Sequence, residues 1–515
     1  MVVRPFILLG GNNIILNKLQ KLKGEQCKVL YLPENEDQVI LGVAGSGKSL
    51  EAIYRAIFLS IRYPNDPIIL LTVNREVSDK MNKLFKDYCK QLEIDDISNL
   101  KIDTIYNYTK TMIQNPNYFD NKDSFSLKSV DPKTQNILIG ESIEEVKIKY
   151  PDSNLWNRNY NFFLAEINWI EANLITNKES YGFVNRVGRK QSPMIKNHKP
   201  KRKNELRDVM YEVFEHYIKK IHKKNKIFDF GTIYWQYSKI NIPNNEKPKF
   251  IILDEVQDVS KAMFYVLNHF ISDNGHWTVL GDLSQNIFGQ NFSWKDMGLK
   301  IRKKFSLKIN YRNNKQIGSL AKSVLSTHYF DKTSKDFVKP HLYNNPDGEI
   351  PIRMKNTDYN IYLLSKAILR NINNYNNSIA IITMNSKDII EIKAKLLKYI
   401  SLDYLNNISL LTINKVKGME YDKVIIYCID SISYNFNQEN RKEIVNEEDR
   451  TVNVDNLDSF QNESISEHLN VARRLYVSLT RARKSLVLVY KNNPMQFVFP
   501  NEKLINDFGG KNDSH

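Results

Sequence analysis

Cysteine is scarce in this chain: three in 515 residues, Cys27, Cys89 and Cys428, widely spaced and without a pairing pattern. That excludes a disulfide scaffold and a cysteine-built zinc site, and it suits a reducing compartment. Long apolar runs are missing too. Phe6-Ile7-Leu8-Leu9 is too short for the core of a signal peptide, and no run approaches membrane-spanning length, so a cytoplasmic location is expected. No internal repeat is visible. Acidic residues are outnumbered, 58 Asp and Glu against 74 Lys and Arg, for a formal net charge of +16 and a pI near 9.3. Such an excess points to a polyanionic partner, most simply nucleic acid. Heavy use of Asn, Lys, Ile and Tyr leaves open the plainer reading of a lysine-rich proteome. The rest, 42% hydrophobic and 26% charged, describes an ordinary soluble protein with length for two to four domains.

One stretch organises what is present. Val39 to Leu41 is a short apolar run, and Gly42 to Ser49 fit G-x-x-x-x-G-K-[ST]. Leu50, Ile53, Ile57 and Ile61 then recur at helical spacing, so the loop joins a buried strand to a helix. Gly45 and Gly47, on either side of Ser46, let backbone N–H groups curl around an anion, and the helix N-terminus adds partial positive charge. Lys48 reaches the β and γ phosphates, and the Ser49 hydroxyl is placed to ligate Mg²⁺. The chain is therefore expected to bind a nucleoside triphosphate. Upstream, Gln26 in Gly24-Glu25-Gln26 is either a reader of an adenine edge or a surface residue.

Pro67 to Asn74 reads as a buried strand with a polar tip, and Lys101 to Tyr106 as another. Strands alternating with helices predict a parallel sheet whose ligands sit at the carboxyl ends. From about Asn107 to Asn225 the alternation stops. Leu206, Met210, Val213, Tyr217 and Ile221 mark one amphipathic helix, and the remainder reads as mainly helical. Between Arg186 and Lys226 stand fourteen Lys or Arg against four Asp or Glu, with Lys199, Lys201, Arg202 and Lys203 the densest part. The run is a solvated face or a contact for a phosphate backbone, and its nearness to the nucleotide sheet favours the contact. A Glu145-Val146-Lys147 triplet has the look of a nuclease fragment but no partner acids.

The sheet resumes at Phe250 to Leu253, followed by Asp254-Glu255-Val256-Gln257-Asp258. An apolar strand ending in adjacent acids is the second half of an NTPase site: Asp254 would hold Mg²⁺ through water and Glu255 would polarise the attacking water. Thr278 to Asp282 is a further strand, with Gln285 three residues beyond its acid. A second α/β rhythm starts near residue 305, with strands expected at 306–309, 378–384, 409–413, 423–429 and 485–490. It has no phosphate loop. It carries Tyr311-Arg312, Lys417-Gly418-Met419-Glu420 and the stretch Arg474 to Arg483 instead, which suits a lobe that closes over a neighbour's triphosphate. Asn437 to Glu467 is acidic and Asn/Ser-rich, expected to be an exposed loop.

This ordered set resembles the UvrD/Rep family of superfamily 1 helicases, with matches running from Gln26 to Arg483. The resemblance is nearest to the compact branch written G-V-A-G-S-G-K and G-D-L-x-Q, which Gly42 to Lys48 and Gly281 to Gln285 follow. It implies an α/β fold of two RecA-like P-loop lobes with parallel sheets, plus a mainly helical insertion in the first lobe. The first lobe would comprise residues 1–106 and 226–304, the insertion 107–225, the second lobe 305–500 and a tail 501–515. By the same resemblance Gln26 would contact adenine, Tyr311 would stack on it, and Glu420 would contact the ribose. Lys48, Ser49, Asp254 and Glu255 would form the phosphate, metal and water site. Gln285, Arg312 and Arg481 would reach the γ-phosphate, the arginines as fingers from the second lobe. Thr72, Asn74, Thr104 and Tyr106, with Thr412 of the second lobe, would meet single-stranded nucleic acid.

Two departures from the family pattern matter. Where well-known members have Y-R-W-R-G after the GDxxQ glutamine, this chain has Phe288-Gly289-Gln290-Asn291, with Trp294 beyond, so base stacking would fall to Phe288 or Trp294. The gap from Arg312 to Lys417 leaves no room for the second large inserted domain of longer members, and the 32 residues after Arg483 none for an appended nuclease domain. The implied function is an ATP- and Mg²⁺-dependent translocase or helicase on single-stranded DNA, moving 3′ to 5′, with a protein partner encoded nearby. A nucleic-acid-stimulated ATPase that remodels complexes without unwinding is one alternative. A nucleotide-sensing switch is another, though the intact Glu255, Arg312 and Arg481 argue against it. RNA stays open, since no 2′-OH reader can be named. DNA repair, replication and antiphage defence suit a compact member equally well.

Overall fold

The apolar runs become the strands of two parallel sheets. The computed structural model describes residues 22–508 apart from 92, 94–96, 119–127, 159, 184–204, 226, 287–293, 295–296, 329, 331, 343–344, 376, 432–468 and 496–497. In chain order the strands are β1 Asp37–Gly42, β2 Ile68–Thr72, β3 Leu100–Thr104, β4 Lys128–Ser129, β5 Ile227–Phe228, β6 Phe250–Leu253, β7 His276–Gly281, β8 Ile301–Leu307, β9 Ile352–Lys355, β10 Ile379–Thr383, β11 Ile408–Thr412, β12 Tyr421–Tyr427, β13 Ala482–Tyr490 and β14 Asn506–Asp507. The first sheet runs β3-β2-β6-β7-β1-β8 and the second β11-β10-β12-β13-β9-β14, with parallel pairing throughout.

A parallel sheet covered by helices on both faces needs apolar side chains on both, hence unbroken runs rather than alternation. Val39 and Leu41 of β1 enter one core with Ile251, Phe264 and Trp277, while Ile40 points the other way, to Ile53, Ile57 and Leu70. This places the carboxyl ends of β1, β7 and β6 side by side, so the phosphate loop, Asp282 and the Asp254-Glu255 pair emerge at one edge.

The insertion has its own core, in which Ile139, Val146, Ile167, Met210, Val213, Tyr217 and Ile221 pack together. Its helix Glu205–Asn225 follows the predicted spacing, except that Leu206 in the first turn is exposed. Asp131 caps the helix Pro132–Lys149, accepting from the backbone N–H groups of Lys133 and Thr134, with proline at the first turn where no N–H is needed. The pairs Lys128↔Ile227 and Ser129↔Phe228 of β4 and β5 close its neck.

Three expected boundaries move. Residues 107–114 do not open the insertion: the helix Ile105–Gln114 buries Tyr108, Met112 and Ile113 in the first-lobe core, against Ile233 and Phe270. Residues 305–307 finish β8, which pairs with β1, so the second lobe begins after Leu307. Residues 506–507, expected in a tail, form β14 beside β9. The strand β9 went unread because Arg353 sits inside it. Its guanidinium is buried between Glu502 (2.6 Å) and Asp507 (2.7 Å), partners that lie about 150 residues away. The basic cluster 199–203 and the acidic stretch 437–467 lie outside the described residues. No helix among the described residues is long and apolar enough to cross a membrane.

Candidate active site between the two lobes

The phosphate loop is held in shape before any phosphate arrives. Gly45 and Gly47 have φ of +73° and +90°. A Cβ at Gly45 would stand 2.3 Å from Asn310 Oδ1, and one at Gly47 2.2 Å from Gln26 Nε2, so both conformation and space require glycine. Lys48 is buried and donates from Nζ to the carbonyls of Gly42 (2.9 Å) and Val43 (3.0 Å), curling back across the loop. Burial lowers its pKa, against the pull of Asp282, Glu255 and Asp254. Gln26 is also turned onto the loop. Its Nε2 donates to Ser46 O (2.7 Å) and its Oε1 accepts from Lys23 N (2.8 Å).

Opposite the lysine stand the acids. Ser49 Oγ donates to Asp254 Oδ2 at 2.6 Å, while the buried Asp254 Oδ1 has no hydrogen-bond partner among the described residues. Burial, with Glu255 alongside, pushes the Asp254 carboxyl up to about 7. An oxygen-donor pair of hydroxyl and carboxylate with one orphaned acid oxygen fits Mg²⁺, which takes few protein ligands and completes its shell with water and phosphate. Glu255 occupies the left-handed region (φ 57°, ψ 40°), a strained placement for a residue with a side chain. It accepts from Gln257 Nε2. Burial alone would raise its pKa, but Lys417, Lys48 and Arg481 hold it below the usual carboxylate range.

The second lobe enters with the amino ends of its strands. Arg481, immediately before β13, is buried and donates from Nη2 to Gln285 Oε1 (3.0 Å), and Gln285 Nε2 donates to Asp282 Oδ2 (2.7 Å). A relay of side chains thus joins a second-lobe arginine to the first-lobe phosphate site. Lys417 Nζ crosses the same cleft to Asp258 Oδ1 (2.5 Å) and Gln285 O (2.6 Å). Arg312 Nε donates to Glu420 Oε2 at 2.8 Å, and Arg483 and Lys80 stand 3.6 and 3.9 Å from Glu420 Oε1. The residue expected at the ribose therefore holds one of the expected fingers. Tyr311 N donates to Gly45 O (2.9 Å), its hydroxyl donates to Lys23 O (3.3 Å) next to Gly24, and the residue is 38% exposed. Gln26, Gly42, Gly45, Ser46, Gly47, Lys48, Ser49, Asp254, Glu255, Gln285, Tyr311, Arg312, Glu420 and Arg481 line or border one cleft.

Two family models match this chain: the UvrD/REP helicase N-terminal domain over residues 22–306 and the UvrD-like helicase C-terminal domain over residues 397–493. The chain belongs to the UvrD/REP helicase family. Among curated relatives, it is 22% identical over 349 residues to a probable DNA helicase II homolog of Mycoplasma capricolum subsp. capricolum. It is 25% identical over 322 residues to the ATP-dependent DNA helicase Rep of Buchnera aphidicola subsp. Acyrthosiphon pisum. These matches take in 65% and 57% of this chain and 44% of each relative, so the chain spans less than half the length of either.

The residues expected to face nucleic acid are less uniform than the UvrD/REP resemblance implies. Thr72 and Thr104 end β2 and β3 but are buried, and Thr104 Oγ1 caps the next helix by accepting from Asn107 N at 3.1 Å. Asn74 Oδ1 accepts from Glu76 N (2.9 Å). Thr412 is half-buried at the end of β11. Trp294 donates from Nε1 to Asp336 Oδ2 (2.8 Å), with Lys304 Nζ 5.5 Å from the ring centre, so both its edge and its face are engaged. Phe288 lies outside the described residues. Glu145 pairs with His216 and Lys220, which also holds Glu141, and among the described residues no group of three or more His, Cys, Asp or Glu could hold a metal ion. One aromatic was missed. Phe230 is 57% exposed and stacks on Tyr106, centroids 5.1 Å apart at 11°. In sequence it stands in Ile227-Phe228-Asp229-Phe230 without a motif around it, and only the fold brings it to Tyr106.

Proposed function

We propose that this protein is an ATP hydrolase driven by single-stranded DNA, moving along the strand 3′ to 5′. The observation that carries the reading is the relay Arg481–Gln285–Asp282 across the cleft. Finger, glutamine and phosphate-site acid are joined between lobes, the arrangement hydrolysis needs and a passive binding module has no use for. Lys48 would neutralise the β and γ phosphates, and Glu255, kept ionised by Lys417, Lys48 and Arg481, would orient the attacking water. Ser49 and Asp254 would hold Mg²⁺, which supplies charge neutralisation on the transferring phosphoryl group when bound. Tyr311 would stack on the base, and Glu420 would exchange Arg312 for the ribose. The Phe230–Tyr106 pair is a sequence-tolerant platform for a base, worth about 1–3 kcal/mol if one stacks there. A cytoplasmic setting belongs to the same reading.

The engagement of Trp294 favours a second reading, in which strand-driven ATP turnover remodels complexes without separating duplexes. The test begins with ATPase rates with and without single-stranded DNA. Glu255→Gln is expected to bind ATP yet turn over at the background rate; rapid turnover in that variant sinks the hydrolytic assignment. Strand displacement from duplexes with 3′ or 5′ overhangs then separates the two readings and fixes direction.

A further inference from the structure

A cavity of about 290 Å³ opens between the lobes, and its lining grades from the hydrolytic centre to solvent. Glu255 and Lys417 form its buried inner wall together with Asp258, whose side chain is 6% exposed. Arg75, from the first turn of the helix Arg75–Gln91, and Asn414 and Lys415 of the second lobe form an exposed rim, with Glu76 the acid among them and Asn74, expected to meet nucleic acid, beside them. First-lobe and second-lobe residues face each other across it, so its width depends on how the lobes sit.

The proposed hydrolysis leaves two anions in the cleft. The diphosphate stays on Lys48 and the loop Gly45–Ser49, which bars the way through that side. The orthophosphate is set free beside Glu255, whose negative charge repels it. Next along the cavity wall stands Lys417, held by Asp258 Oδ1 and Gln285 O, and at the rim Arg75 and Lys415 outnumber Glu76. We propose that this cavity is the exit chamber for orthophosphate, with Lys417 its inner donor and Arg75 and Lys415 its outer cations. The inference rests on the ATPase reading. It gives release of product a path that lobe movement widens or narrows, and product release of this kind sets the turnover rate of many enzymes.

The full chain, with single-stranded DNA and ATP, is followed in one turnover by acid quench for cleavage and by a fluorescent phosphate sensor for release. Asn414→Trp, a change at an exposed rim position, should leave cleavage as it is and delay phosphate appearance about tenfold. Arg75→Ala/Lys415→Ala should raise the inhibition constant of added inorganic phosphate roughly fivefold, the worth of two exposed charges. Release that keeps pace with cleavage in Asn414→Trp overturns the proposal, and so does unchanged phosphate inhibition in the double variant. A salt slope of DNA binding shallower by roughly 0.7 per lost contact, with inhibition unchanged, would make the rim a strand contact and overturn it too. Absence of cleavage in the unmodified protein would instead remove the ATPase reading, and the chamber with it.

Discussion

Arg481 is a buried cation whose guanidinium is fixed on three sides. Its Nε and Nη1 donate to the carbonyls of Val477 (3.0 Å) and Met419 (3.2 Å), which leaves Nη2 aimed at Gln285. Burial draws its pKa down to about 10, still protonated at neutral pH. Arg481→Lys keeps the charge but loses the planar fork. The strand-stimulated kcat is expected to fall by roughly 10³-fold with a smaller change in KM, read from steady-state ATPase. Alanine would also strand two buried carbonyls, so lysine is the cleaner change. The sequence points to residues such as this because phosphate chemistry admits few side chains: a lysine in a glycine loop, adjacent acids after an apolar strand, arginines at element ends. Illegible were the partners they keep. That Gln26 is bonded to the loop, that Arg312 is paired with Glu420, and that Thr104 is a helix cap all follow from tertiary approach and leave no local pattern.

At the scale of elements, the neck of the insertion holds a buried pair of acids. Glu171, at the end of the helix Tyr160–Ala172, is fully buried, and its carboxyl lies against Asp229 just beyond β5. Burial, with the Asp229 carboxylate alongside, raises its pKa well above the usual carboxylate value. The sign follows from linkage. A folded pKa above the unfolded one gives stability that is complete below the unfolded pKa and is lost as pH rises through the folded one. Melting temperatures should therefore decline toward high pH in the unmodified protein. Glu171→Gln, which keeps the size of the side chain without titrating, should melt higher than it at pH 9 and level with it at pH 5. A second element-level prediction concerns β14. Truncation after Pro500 removes Glu502 and Asp507, leaving the Arg353 guanidinium buried without acids. Urea denaturation is expected to show a loss of about 2 kcal/mol or more, at the low end for a broken buried pair because both acids are half exposed. The apolar runs expected as strands at 378–384, 409–413, 423–429 and 485–490 are β10 to β13, whereas the one expected at 306–309 is only the end of β8 in the first sheet. The strand β9, whose middle is a buried arginine, could not be, since its sense lies in partners far along the chain.

At the scale of the molecule, the lobes meet through buried polar contacts, chiefly Lys417 to Asp258, both side chains about 5% exposed. If this bridge couples the lobes, its two ends act as one. Lys417→Met and Asp258→Asn should each lower strand-stimulated kcat/KM, and the double variant should fall little further, a coupling of about 1–3 kcal/mol in a double-mutant cycle. Additive losses would show that each side chain serves its own lobe. The polarity of the sheets has a further consequence. The first lobe offers the carboxyl ends of β1, β6 and β7 to the cleft, and the second answers with the amino ends of β12 and β13. The halves are thus stacked head to tail, as successive units of a fibre are, and not face to face as in a two-fold dimer. A two-fold pair has no preferred direction along a line through it, whereas a head-to-tail pair has a front and a back. Because the second lobe lacks a phosphate loop, the stacking ends after a single joint, and the one chain keeps the arrow of a fibre with none of its length.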